Sequence, residues 1–180
     1  LLLRQARMSS TTAHRMNDQT NVTATIAEWA HGLSFEDIPS RVVEEAKNQV
    51  LSVIAGIHAG HFSDVGRMVA RTLKDWTPGK DATLIPSGER TSVHYASFGN
   101  AALSMALLYD DSLLGAHPGA TSVVVPLAVS EQLGGGGKEL VTAQIIANET
   151  AARIGLAMLT DPLSDYRTPA AHRAAAALAT

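Results

Sequence analysis

Apolar residues recur at three- and four-residue spacing along most of the chain, and the helix they predict most clearly covers residues 39 to about 59. Val42, Val43, Ala46, Val50, Val53, Ile54 and Ile57 form one stripe, with Arg41, Glu44, Glu45, Lys47 and Asn48 on the other face. Pro39 suits its first turn and Gly60 its end. Ahead of it, Asn21 can cap a helix to about residue 31, with Ile26, Ala27 and Ala30 inward and Gly32 as the stop. Residues 64–76 predict a third helix whose inner face carries Val65, Met68, Val69, Leu73 and Trp76, followed by a turn at 77–80. Residues 82–85 and 91–93 flank Ser87-Gly88-Glu89-Arg90 and predict a short hairpin, kept marginal by Pro86. Long helices are then expected over about 93–109 and 138–159. Between them Thr121 or Ser122 caps a helix to Leu133, with Pro126 in its first turn, where a missing N–H costs least. A last helix begins at Ala170. The fold class expected is all-α for the most part, with one β-hairpin.

Residues 1–20 are polar and aperiodic, so a disordered tail is expected there, with one domain over 21–180. The stretch from Ala170 to Thr180 lacks a Gly or Asn cap, and the domain is therefore expected to be incomplete. At 180 residues and 46% hydrophobic content the chain can bury a real core. A net charge of −3 with 17% charged residues gives no electrostatic footprint for nucleic acid. The absence of cysteine excludes disulfides, thiolate metal sites and cysteine nucleophiles, and fits a reducing, cytoplasmic setting. No apolar run approaches the roughly 18 residues that span a bilayer, so no membrane partner is expected. Only 4% of residues are aromatic and alanine is abundant, which favours closely packed helices.

Candidate chemistry gathers in Tyr109-Asp110-Asp111-Ser112-Leu113-Leu114-Gly115-Ala116-His117-Pro118-Gly119, a polar loop between two apolar segments. His117 can give or take a proton near neutral pH, and its flanking glycines and proline let backbone approach a ligand. Adjacent residues on a helix end diverge by about 100°, so Asp110 and Asp111 cannot share a proton and at most one faces a ligand. Ser112 as a hydrolase nucleophile would lack the Gly-x-Ser-x-Gly elbow. A hard-metal site from Asp110, Asp111 and His117 has little support, as has a metal on His58 and His61, which lack a third ligand nearby. Gly134 to Lys138 invites a phosphate-loop reading, but Gln132 and Glu139 stand where that loop needs Gly and Ser or Thr. Glu149 and Arg153, four apart on an apolar helix, predict a buried ion pair, with carboxylate binding by Arg153 as the alternative.

Asn100-Ala-Ala-Leu-Ser-Met-Ala-Leu-Leu-Tyr-Asp-Asp-Ser, Gly-Ala-His-Pro-Gly-Ala, Val-Val-Pro-Leu-Ala and Asn148-Glu-Thr-Ala-Ala-Arg-Ile-Gly together resemble the MmgE/PrpD family. So do Ile26-Ala-Glu-Trp-Ala, Ile38-Pro-Ser, Ala46-Lys and Ile54-Ala-Gly-Ile-His-Ala-Gly. The family includes 2-methylcitrate dehydratase, cis-aconitate decarboxylase and iminodisuccinate epimerase. The resemblance implies a mostly helical domain, here an N-terminal portion, with a lid domain supplied by later sequence. It implies cofactor-free acid–base chemistry at a carbon next to a carboxylate of a small di- or tricarboxylate; apart from it, exposed apolar helix faces predict self-association, with a homodimer expected. His117 is the acid–base candidate, and Asp111 and Ser112 are expected on the cavity side on the family pattern. Asp110 is expected to help set the loop as the fourth catalytic candidate. Asn100, expected to hydrogen-bond the loop, and Arg153 are the substrate-binding candidates. No cofactor or metal is implied. The sequence departs from the pattern at Leu108, where aspartate is usual, and at Met105, where histidine is frequent. Arg167 and His172 only partly match a later His-Pro-Thr stretch.

Two readings follow. One is a lyase, dehydratase-like first, with a decarboxylase or an epimerase or other isomerase as alternatives, and not expected to be competent as this chain alone. The other is a truncated relative that only packs and associates.

Overall fold

The structure, a computed structural model, describes residues 21–74, 79–109, 111–113, 117–158 and 168–178. The expected tail at 1–20 lies outside them, as do Trp76, Asp110 and Arg167, and of His172 only the backbone is described. The architecture is a layered set of α-helices with one two-stranded antiparallel hairpin.

Helix α1 (Val22–Gly32) starts where the Asn21 side chain accepts the Ala24 N–H at 3.1 Å, which satisfies one of the donors that a helix start leaves open. It lies on the surface: Ile26 and Ala30 are half-buried, and Ala27, expected inward, is exposed. A 3-10 turn over Phe35–Asp37 leads into α2 (Ser40–His61), with Pro39 at its N-cap. Helix α2 runs through both main cores. Val43 and Ala46 pack with Ile38, Val141 and Ile145, whereas Val53 and Ile57 pack with Leu103, Val123 and Val124.

Gly60 does not end α2; it lies buried inside it. A Cβ there would come 2.0 Å from the Leu103 carbonyl oxygen, and one at Gly66 would come 2.1 Å from that of Gly60. These two glycines let α4 and α3 approach α2 backbone to backbone. They also set the rotation of α3 (Asp64–Lys74). Gly66 and Leu73 are its buried positions with Val69 half-buried between, so Val65 and Met68, expected inward, stand exposed.

Strands β1 (Ala82–Thr83) and β2 (Arg90–Thr91) pair antiparallel, Ala82 opposite Thr91 and Thr83 opposite Arg90. The Glu131 carboxylate holds the hairpin by accepting the Thr83 N–H at 2.6 Å and the Thr83 hydroxyl at 2.7 Å. Helix α4 (Val93–Met105) stops four residues before the expected end, and Leu108 beyond it takes a left-handed conformation with φ of 53°. After the loop come α5 (Gly119–Ser122) and α6 (Val124–Leu133). The Ser122 hydroxyl donates back to the Pro118 carbonyl at 2.9 Å and does not cap α6. Gly134 ends α6 in the left-handed conformation, and α7 (Gly137–Met158) begins one residue before Lys138. Helix α8 (Thr168–Leu178) lies against α7, with Ala175 packed on Ala147 and Ala151. Among the described residues no helix is long and apolar enough to cross a membrane.

Candidate functional site

Asp111 is the residue from which the candidate site is built. Its Oδ1 accepts the backbone N–H of Gly119 at 2.9 Å, and its Oδ2 accepts from Gln49 Nε2 at 2.6 Å. Its main-chain carbonyl faces His117 Nδ1 at 3.1 Å. One residue thus ties the loop to α2, to the start of α5 and to the imidazole. A carbonyl oxygen only accepts, so Nδ1 is the nitrogen that carries the proton. In the neutral ring Nε2 is then the nitrogen that keeps the lone pair.

Beside Asp111 lies a cavity of about 710 Å³ between α1, α2, the loop and α7. Trp29, Glu45, Gln49, Asp111, Ser112, Pro118, Asn148 and Glu149 are among its lining residues. Asp111 and Ser112 both reach it; His117 is half-buried and held against the Asp111 backbone. A smaller hollow of about 290 Å³ between α3, the hairpin and α4 is lined by Val69, Leu73, Leu84, Ile85 and Leu103 together with His61, Arg71, Lys74 and Glu89, and none of the catalytic or substrate-binding candidates lines it.

Asn100 lies elsewhere. It is 2% exposed, its Oδ1 accepts the Ile85 N–H at 2.9 Å, and its Nδ2 donates to the Thr83 carbonyl at 2.9 Å. Its amide therefore holds the hairpin, not the loop or the cavity. Arg153 is half-buried and hydrogen-bonded through Nη2 to Glu149 Oε1. The expected ion pair is present but partly open to solvent, and of its two members only Glu149 lines the cavity. Burial pushes the Glu149 carboxyl up, while hydrogen bonds and positive charge, those of Arg153 foremost, pull it down, and the balance lies below its ordinary value of 4.5. His58 and His61 each meet Phe62 edge-on, at 5.3 and 5.2 Å between ring centres. Among the described residues no three His, Cys, Asp or Glu side chains are grouped as metal ligands.

The lining carries three carboxylates, Glu45, Asp111 and Glu149, and no lysine or arginine among the described residues. Gln49, Gln144 and Asn148 were not singled out by the sequence. Gln49 sits at an inward position between Ala46 and Val53, and an amide in an apolar stripe was the available signal.

The structure is thus a helical domain in which Asp111, bonded through its carbonyl to His117, borders an amide- and carboxylate-lined cavity. Residues 24–180 match the MmgE/PrpD N-terminal domain, and the chain belongs to that family. It is 31% identical over 149 residues to a cis-aconitate decarboxylase of Aspergillus terreus, a match covering 79% of this chain and 30% of that protein. A second Aspergillus terreus cis-aconitate decarboxylase is 30% identical over the same shares. The cis-aconitate decarboxylase-like protein oryM of Aspergillus oryzae is 28% identical, covering 77% of this chain and 30% of that protein. The chain thus spans about 30% of the length of these relatives.

Proposed function

We propose that this chain carries the proton-transfer part of a lyase for small di- or tricarboxylates, and that the reaction is decarboxylation of a cis-aconitate-type acid. The observation that carries the reading is the bond between His117 Nδ1 and the Asp111 carbonyl, which makes Nε2 the proton-exchanging nitrogen. Loss of carbon dioxide leaves an electron pair on carbon; the imidazolium form of His117, with a proton on both ring nitrogens, would deliver the Nε2 proton to that carbon and return to the neutral Nδ1–H ring. Elimination of water needs a base at carbon and a second acid for the leaving hydroxyl. The described site offers one imidazole, and both oxygens of Asp111 are engaged by Gly119 and Gln49. Decarboxylation, the activity for which the two Aspergillus terreus relatives are named, is the reading put ahead of the dehydratase chemistry expected first from the sequence.

Three carboxylates in the lining repel a polyanion, so the substrate's charges call for cationic residues outside the described lining. Ser112, exposed at the cavity, is placed to hydrogen-bond a substrate carboxylate. The test is to incubate the protein separately with cis-aconitate and 2-methylcitrate, following carbon dioxide release and the alkene proton signals. Carbon dioxide from cis-aconitate, lost about 10²- to 10⁴-fold in His117→Gln, is the expected result. Turnover of 2-methylcitrate alone would replace decarboxylation with dehydration. Full activity in His117→Gln would remove the imidazole from the mechanism.

A further inference from the structure

The polar groups that α2 and α7 turn toward one another form a run of amides whose direction is set at one end. An ionised Asp111 only accepts, so Gln49 presents Nε2 to it, at 2.6 Å from Oδ2. Gln49 Oε1 then points toward α7, where it accepts from Asn148 Nδ2 and from Gln144 Nε2, each at 2.6 Å. Asn148 Oδ1 closes a head-to-tail pair with Gln49 Nε2 at 3.3 Å. Gln144 Nε2 also donates to the Ala46 carbonyl at 2.9 Å, and its fully buried Oε1 has no hydrogen-bond partner among the described residues. That orphaned oxygen shows how firmly the order is imposed: the side chain faces two acceptors, and both claim its NH₂ group.

From Asp111 the same order continues into the loop, through the Gly119 N–H on Oδ1 and the His117 ring on the main-chain carbonyl. Resting on the acid–base reading above, we propose that Gln49 is a positioning residue for His117. Through Asp111 it fixes the loop so that Nδ1 holds the proton and Nε2 exchanges protons with the substrate. The link joins residues 62 apart in the sequence.

Reversing the polarity of one bond tests this. Gln49→Glu removes the donor and sets a carboxylate against Asp111, while keeping an accepting edge for Asn148 and Gln144. Adding Asp111→Asn returns a donor and restores the bond in the opposite direction. Long-range ¹H–¹⁵N NMR of the substrate-free protein, with His117 assigned by its loss in His117→Gln, reads which ring nitrogen carries the proton. Turnover of cis-aconitate gives kcat and KM separately.

The wild type is expected to carry the proton on Nδ1. Gln49→Glu is expected to mix the tautomers and lower kcat about 10²-fold, as small misplacements do, with KM nearly unchanged. The double variant should recover the single tautomer. If Gln49→Glu does not fold, the uncharged and similarly sized Gln49→Met carries the same readout. An unaltered tautomer in the single variant overturns the proposal even if kcat falls, because Gln49 would then act on the substrate directly. Mixed tautomers rescued by Asp111→Asn, in a protein without lyase turnover, uphold the positioning role and sink the lyase reading instead.

Discussion

Gly119 lies directly under the Asp111 carboxylate: its N–H donates to Oδ1 at 2.9 Å, and a Cβ at Gly119 would come 2.3 Å from that same oxygen and 2.7 Å from Val53 Cγ2. The contact is possible only without a side chain. Gly119→Ala must therefore push Asp111 away or displace Val53, which belongs to the α2–α4–α6 core. Overpacking of this kind costs about 1–3 kcal/mol. Urea unfolding should show a lower midpoint with an unchanged slope, and a midpoint equal to wild type would mean that the close approach is not needed.

Leu108 offers a gain. A leucine with φ of 53° pays roughly 1–2 kcal/mol of steric strain, and at 72% exposure it gains little burial in return. Leu108→Asn or Leu108→Gly should raise the unfolding free energy by about 1 kcal/mol. Aspartate, which the family resemblance leads one to expect here, also tolerates this conformation and adds a carboxylate beside the loop. Increased stability with Leu108→Asn and increased turnover only with Leu108→Asp would separate backbone relief from chemistry. A lower melting temperature in all three variants would contradict the strain argument.

Asn100 separates scaffold from site. Asn100→Leu strands the Ile85 N–H and the Thr83 carbonyl, at about 1–3 kcal/mol for each buried group left unpaired. The expected outcome is a large loss of stability with KM for a carboxylate unchanged at temperatures where the protein stays folded. A selective rise in KM with normal stability would return Asn100 to the substrate.

The Glu149–Arg153 pair gives a pH dependence with a definite sign. Because the folded-state carboxyl lies below its ordinary value of 4.5, the unfolded chain takes up a proton first as pH falls. The pair's contribution is complete above that value and drains away as pH drops through the lowered one. Partial exposure screens it, so the effect is modest. Arg153→Met should be less stable than wild type at neutral pH and converge with it in acid. A constant difference at both pH values would point to lost packing alone.

Much of the scaffold was legible because helix periodicity and capping are local. Asn21 as a cap, the stripe along α2 and the end of α6 at Leu133 all follow from neighbours a few residues apart. The rotation of α3 was not, because the Gly66–Gly60 backbone contact reverses what the apolarity of Val65 and Met68 suggests. The early end of α4 was hidden for a related reason, since leucine rarely adopts the conformation that Leu108 takes. In the site, Asp111, Ser112 and His117 stand out as a polar cluster in an apolar context. Gln49 and Glu131 do not, because each acts on a partner more than forty residues away.

Helix α2 contributes Val43 and Ala46 to one core and Val53 and Ile57 to the other, within a single unbroken rod. The two cores cannot melt independently while that rod stays intact. Amide hydrogens from Val43 to Ile57 should therefore exchange with solvent through one common opening, at the free energy of global unfolding, and mark this helix as the slowest-exchanging segment of the protein.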